Sequence, residues 1–365
     1  MVESTMHLQL IAYYLATSRK RPFVSLPEST APPWNCRVKS ISLSYKQTIE
    51  KLHMARKIKY DSRGIAHIYQ RGFNMSVIFY SVKDILVFYT LLYELKKKYK
   101  ITVLGIVFMY NHYHLLIKAK SQEVISCFMR DLETIYSKEF NKDAGTKGPV
   151  FMPRYGLSNK KMDKKQREAA AYLYNNPVEK QLSINAVGYR WNFLAYAKSD
   201  HPFSEKLVVR KASDKLRKCL QEVKFMFNHN AFLNYTILRN CFNRLSREEG
   251  NQLIDFIIST YNVVDYNETI RLYGSYEKML TAFDSNTGNE HDLKEEYSDM
   301  SYKGYVSSIH ALSNDYGFIN PKKVLQLSEK ERRLLSRRLA NQLQVSLFIA
   351  ETLLHIYLPQ PKRFS

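Results

Sequence analysis

No apolar run in this 365-residue chain approaches the length of a bilayer span, which excludes an integral helical membrane protein. Cysteine is scarce. The four residues, Cys36, Cys127, Cys219 and Cys241, are scattered, with no C-x-x-C pair. That argues against a zinc ribbon and a disulfide scaffold and suits a reducing cytosol, so a cytoplasmic protein is expected. The N-terminus lacks the charged, apolar and small-residue succession of a secretory signal. There is no P-loop and no fixed-period repeat. Acidic residues are also few: 34 Asp and Glu face 55 Lys and Arg, a net charge of +21. With 45% apolar residues and 13% aromatics, the chain is nevertheless a folded protein and not a disordered tail. A folded protein this basic sits on a polyanion, either nucleic acid or an anionic membrane surface.

The charge is uneven. Residues 1–200 carry 32 Lys or Arg against 15 Asp or Glu, and residues 201–365 carry 23 against 19. The polyanion footprint is therefore expected in the first part. Length favours two domains. Residues 1–53, with Pro22, Pro27, Pro32 and Pro33 and no sustained period, read as an irregular extension. Met54-Ala-Arg-Lys-Ile-Lys marks a natural domain start, and a second boundary falls near Ser199–Ser204. The expected organisation is an extension 1–53, a catalytic domain 54–200 and a helical domain 201–365.

Between these limits the pattern alternates. Ile65 to Gln70 reads as a strand, and Lys83 to Lys98 has apolar residues at helical spacing. Thr102 to Met109 is β-branched or aromatic, as a buried strand should be, and His112 to Lys118 is a second strand pairing with it across Tyr110-Asn111. Gln122 to Phe140 reads as a helix and Val150 to Gly156 as a strand or extended loop. Asp163 to Asn175 reads as a helix stopped by Pro177. The fold class is α+β, with helices on a largely antiparallel sheet. After residue 200 the segments Ala212–Phe227, Ala231–Arg244, Glu248–Tyr261, Tyr276–Phe283, Tyr305–Leu312 and Glu329–Leu343 read as helices, giving an all-α C-terminal domain. A loop with a short acidic helix is expected from Asp284 to Ser298.

Two segments carry chemistry. In Asn111-His112-Tyr113-His114 the two histidines stand at i and i+2 on a strand, so both imidazoles face the same side and can share one divalent cation. Two protein nitrogens leave such a metal open positions, as catalysis requires. In Tyr172-Leu173-Tyr174-Asn175-Asn176-Pro177, Tyr172 and Asn176 lie one helical turn apart on one face. A tyrosine hydroxyl can act as a covalent nucleophile, and an amide oxygen can complete a metal shell. Each segment also has a plain structural reading, as core histidines or as a helix ending in an aromatic contact.

These segments together resemble a known family. Met109-Tyr110-Asn111-His112-Tyr113-His114 resembles the "MPNHxHLL" segment of the single-tyrosine HUH transposases, and Tyr172 to Val178 resembles their "YIxxNPV" segment. Arg71-Gly72 with Ile78-Phe79 looks like the "RG…IF" element after the first strand. Tyr189-Arg190-Trp191-Asn192-Phe193 looks like the trailing "Y-x-W-S-S" element. The order is kept over about residues 58–200, and the likeness is strongest to the REP-associated tyrosine transposase branch. Tyr110 stands where the family has Pro, and Asn192 where it has Ser.

The resemblance implies an HUH/RRM-like catalytic domain that cleaves and rejoins single-stranded or hairpin DNA. His112, His114 and Asn176 would hold Mg²⁺ or Mn²⁺. Tyr172 would attack phosphorus and form a 5′-phosphotyrosine. Tyr172 is preferred to Tyr174 because the family nucleophile stands four residues before the Asn; Tyr136 and Tyr155 are weaker candidates. Arg71, Arg154, Lys160, Lys161, Lys164, Lys165 and Arg167 would hold the DNA backbone, with Tyr155 and Phe151 as stacking platforms. Arg338 to Ser346, followed by Ile349, resembles part of a helix-turn-helix near 328–357, with Ser346 capping its second helix.

Three other readings remain open. An HUH replication initiator or relaxase would share the metal site. A non-catalytic or domesticated DNA-binding regulator would use the basic fold without chemistry. A metallohydrolase would use His112 and His114 on small phosphoesters. No membrane partner is expected, and monomer and homodimer are both open.

Overall fold

The computed structural model describes residues 60–285 and 302–356. Residues 1–53 and most of the Asp284–Ser298 segment lie outside the described residues. Ile58–Ser365 forms one compact unit.

Four antiparallel strands make the sheet, in the order β2-β3-β1-β4. They are β1 (Ile65–Arg71), β2 (Thr102–Phe108), β3 (His112–Lys118) and β4 (Gly156–Lys160). β1 is central. It pairs with β3 (Tyr69 opposite His114, Arg71 opposite His112) and with β4 (His67 opposite Ser158). Alternation then sorts the side chains. Ile65, His67, Tyr69, Arg71, His112 and His114 share one face, and Ala66, Ile68, Gln70 and Tyr113 the other.

The Tyr113 face is covered by α1 (Val82–Tyr99) and α2 (Gln122–Ala144). Phe88 of α1 lies at the centre of an aromatic cluster with Phe79, Phe108, Tyr113 and Tyr136. A capping box of Ser81 and Asp84 starts α1, and Ser121 caps α2. The histidine face is covered by α3 (Asp163–Glu179). Gly105 of β2 permits this contact: a Cβ there would stand 3.2 Å from the Tyr174 hydroxyl and 3.4 Å from Leu173.

Helices α4 (Asp214–Asn228), α5 (Tyr235–Phe242), α6 (Arg247–Thr260), α7 (Tyr266–Tyr273) and α8 (Tyr276–Ser285) follow. The chain then continues through α9 (Tyr302–Asn314), α10 (Glu329–Leu343) and α11 (Leu347–Leu353). Several close directly on the sheet domain. Thr269 of α7 hydrogen-bonds the Leu104 carbonyl at 2.6 Å, and Phe283 of α8 stacks on Tyr174 at 5.0 Å. Tyr80 donates to the Leu353 carbonyl, and the Val77 amide donates to Thr352.

Three expectations change. Of the two readings of Val150 to Gly156, the strand gives way to the extended loop: the fourth strand forms at Gly156–Lys160, and Phe151 makes only an isolated bridge with Gly72. Pro177 does not stop the helix, which runs on to Glu179. Pro177 removes its own N–H bond and crowds the turn before it, but only two helical residues follow, and the Lys180 amide still reaches the Asn176 carbonyl at 3.1 Å. A helix unmarked by the sequence pattern, α7, begins where Asp265 caps the Glu268 amide. At the C-terminal end Ser346 caps α11, and Gln344 adopts the left-handed turn conformation at φ 51°.

Candidate active site

β1 and β3 form the floor of the site and α3 lies across it. Alternate positions on the two paired strands bring His67, Tyr69, His112 and His114 into one ring cluster. His112 and His114 ring centres are 5.3 Å apart. Tyr172 of α3 reaches down onto them, 5.7 Å from the His114 ring and 5.9 Å from the His67 ring. Asn176, one turn on, donates from Nδ2 to the Tyr172 hydroxyl at 3.4 Å.

The cluster is buried, which decides its protonation. Burial, reinforced by Lys180 and Arg71, pulls His112 down to about 3. Burial, with His67, His112 and Lys180, holds His114 well below the ordinary histidine value. Both rings are neutral at neutral pH, the form in which imidazole binds metal. Each has its Nδ1 engaged: His112 with Asn111 Oδ1 at 2.8 Å, His114 with His67 Nε2 at 3.1 Å. Asn176 is fully buried, and its Oδ1 has no hydrogen-bond partner among the described residues. A buried amide oxygen without a donor carries a desolvation cost that a cation would remove. No group of three or more His, Cys, Asp or Glu side chains among the described residues is disposed to hold a metal. The two imidazoles of His112 and His114 and the amide oxygen of Asn176 are donors whose chemistry would suit a divalent cation.

The other tyrosines stand elsewhere. Tyr174 points over β2 instead, bonded to the Leu104 carbonyl at 3.2 Å. Tyr136 is in the opposite core layer, donating to the Ile78 carbonyl. Tyr155 is half-buried, with its hydroxyl 3.4 Å from Ser126. Phe151 packs into the core against Phe88, Tyr113 and Tyr136, so it offers no stacking platform.

The basic residues divide by exposure. Arg71 is half-buried, directly across the ladder from His112. Arg154, Lys161, Lys164 and Lys165 are exposed; Lys161 pairs with Asp61 and Lys165 with Glu168. Arg167 is half-buried and donates to the Leu272 carbonyl at 3.4 Å. Lys160 is only 3% exposed, so a DNA-backbone role does not hold for it: its place on β4 puts it under the helix layer.

Three residues that sequence reasoning missed belong to the site. His67 and Tyr69 alternate with Arg71 on β1, and that period of two was the available signal. Lys180 follows Tyr172 and Asn176 at the same four-residue step, and its charge acts on both His112 and His114. The two departures from the family pattern are accommodated. Tyr110 stacks on Tyr305 at 5.9 Å, and buried Asn192 braces the loop by donating to the Ala186 carbonyl and accepting from the Leu194 amide.

Residues 76–176 match the profile of a family described as transposase, IS200-like. A solved structure of a REP-associated tyrosine transposase bound to a REP hairpin is similar over 38% of this chain and 80% of that one. Its identity is 14% and its TM-score 0.33. No curated protein matches the chain significantly. The profile spans His112, His114, Tyr172 and Asn176. Over residues 76–176 the chain is similar to the IS200-like transposase family.

Proposed function

We propose that this protein is a metal-dependent endonuclease and strand transferase acting on single-stranded DNA, with residues 54–200 as its catalytic part and 201–365 as a helical part built onto it. The observation that carries this reading is the placement of Tyr172 and Asn176 on a helix laid across the strand that bears His112 and His114. The Tyr172 oxygen attacks the scissile phosphorus. A bond forms between that oxygen and phosphorus, and the bond from phosphorus to the 3′ oxygen breaks. The products are a 5′-phosphotyrosine and a free 3′-hydroxyl. Rejoining is the reverse attack by a 3′-hydroxyl, so no nucleotide cofactor is consumed.

Mg²⁺ or Mn²⁺ held by His112, His114 and Asn176 would polarise the phosphate and stabilise charge on its oxygens. The chain's own residues do the rest. Asn176 orients the nucleophile, and buried neutral imidazoles keep their lone pairs for the cation. Arg71 and Lys180 supply positive potential beside the histidines, where a phosphate would sit. Arg154, Lys161, Lys164, Lys165 and Arg167 extend that potential along the loop before α3 and its first turns. Unpaired or hairpin DNA is the substrate class that the family resemblance and the charge distribution support.

The test is a nicking assay. Purified protein is incubated with Mg²⁺ and labelled hairpin-bearing single strands drawn from the sequence flanking its own locus, then run on a denaturing gel. The expected result is a covalent protein–DNA band that needs metal, is lost in Tyr172→Phe and persists in Tyr174→Phe. Tight DNA binding with no covalent band under any metal would overturn the catalytic reading and leave a DNA-binding regulator.

A further inference from the structure

We infer that His67 is a positioning residue for the metal site: it fixes the tautomer and ring plane of His114. The inference rests on the reading above that His112 and His114 ligate a divalent cation.

His67 lies on β1 opposite Leu116, and Tyr69 lies opposite His114, so His67 and His114 are diagonal neighbours on one face. Their rings are 5.2 Å apart, and His67 Nε2 stands 3.1 Å from His114 Nδ1. Both side chains are fully buried. At that separation one nitrogen carries the proton and the other accepts it. His114 can present Nε2 to a cation only if its proton sits on Nδ1. His114 Nδ1–H then donates, and His67 Nε2 accepts.

The neighbouring ligand is held by the same device. His112 Nδ1 stands 2.8 Å from Asn111 Oδ1, an oxygen that can only accept. Both histidines thus donate through Nδ1 to a neutral acceptor and are aimed through Nε2. A hydrogen-bond acceptor behind a metal-bound imidazole raises its basicity and fixes its orientation. A neutral acceptor suits this buried site, because a carboxylate at position 67 would bury another charge. His67 also packs its ring against Tyr172 at 5.9 Å, so one side chain braces a ligand and the nucleophile together.

The experiment is Mn²⁺ binding to the full chain, followed by electron paramagnetic resonance, with melting temperature as the fold control. Unsubstituted protein should bind Mn²⁺ and His114→Ala should not. His67→Leu, which removes the acceptor, should weaken binding about 10- to 100-fold. His67→Gln, which restores a neutral acceptor, should recover affinity to within about threefold of the unsubstituted chain. Nitrogen-15 imidazole spectra of unsubstituted, metal-free protein should show the His114 proton on Nδ1, a reading that depends on no variant folding.

Normal Mn²⁺ affinity in His67→Leu, with binding still lost in His114→Ala, would overturn the inference and leave the metal reading standing. A His114 proton on Nε2 would do the same. Equal weakening in His67→Gln and His67→Leu, at unchanged melting temperature, would also overturn it and point to His67 as a ligand itself. Failure of the unsubstituted chain to bind Mn²⁺ would remove both readings together.

Discussion

Asn176 divides its amide between two tasks. Its Nδ2 donates to the Tyr172 hydroxyl at 3.4 Å, while its Oδ1 is buried without a hydrogen-bond partner among the described residues. On the function proposed above, the nitrogen orients the nucleophile and the oxygen would ligate the cation. Asn176→Leu should therefore lower single-turnover covalent adduct formation roughly 100-fold, since misplacing a reacting group costs about that much. Affinity for single-stranded DNA should stay within about threefold. An adduct formed at the unsubstituted rate would separate Asn176 from the chemistry.

Lys180 completes a line of residues at four-residue steps with Tyr172 and Asn176, and its charge acts on both His112 and His114. If it meets a phosphate there, Lys180→Ala should weaken single-strand binding and flatten its salt dependence by about 0.7 in log–log slope, the value of one phosphate contact. Titration of a labelled strand at several salt concentrations measures this. An unchanged slope would place Lys180 outside the DNA path.

Much of the floor of the site was legible in the sequence, because its signals are local. The period of two in His112 to Lys118 marks a strand, and that strand is observed with those limits. The charged end of α1 and the long period of α2 were equally plain. What escaped depends on partners far along the chain. β4 is Gly-Leu-Ser-Asn-Lys, an edge strand with no apolar alternation, and it forms because β1 offers a ladder. His67 gains meaning only beside His114, 47 residues away. Pro177 misled because a proline was read as a barrier, while the helix runs only two residues past it, to Glu179. The motif that resembled a helix-turn-helix has its cap and its left-handed turn. However, its Arg333, Arg337 and Arg338 lie on α10, and α11 (Leu347–Leu353) carries no basic side chain.

Lys322 joins the C-terminal helices to the sheet domain through a buried charge cluster. Its ammonium lies 2.6 Å from Asp84 of α1 and 2.7 Å from Asp143 of α2, and 3.7 Å from the centre of the Tyr235 ring. All three charged side chains are nearly inaccessible. Lys322→Met would leave two buried carboxylates short of a cation, with only Asp143 still paired to Arg239. Breaking a buried pair from one side costs about 3–5 kcal/mol, so the urea midpoint should fall sharply. A loss under about 1 kcal/mol would mean that water reaches the cluster.

Glu133 gives the fold an opposite response to alkali. Burial pushes its carboxyl up to about 7, against the hydrogen bonds it accepts from Gln70 at 3.0 Å and Tyr113 at 3.5 Å. The folded chain thus holds a proton that the unfolded chain releases near 4.5. Between those two values the folded state binds more protons, so this group's contribution to stability is full below about 4.5 and declines as pH rises towards 7. Above 7 the carboxylate is charged in both states and the loss is complete. Glu133→Gln keeps an acceptor for Gln70 and Tyr113 but cannot ionise. It should match the unsubstituted chain at pH near 4.5 and exceed it by about 1–3 kcal/mol at pH near 8. Urea unfolding at the two pH values measures the difference. Equal stability of the two chains at the higher pH would show that Glu133 ionises freely in the folded state.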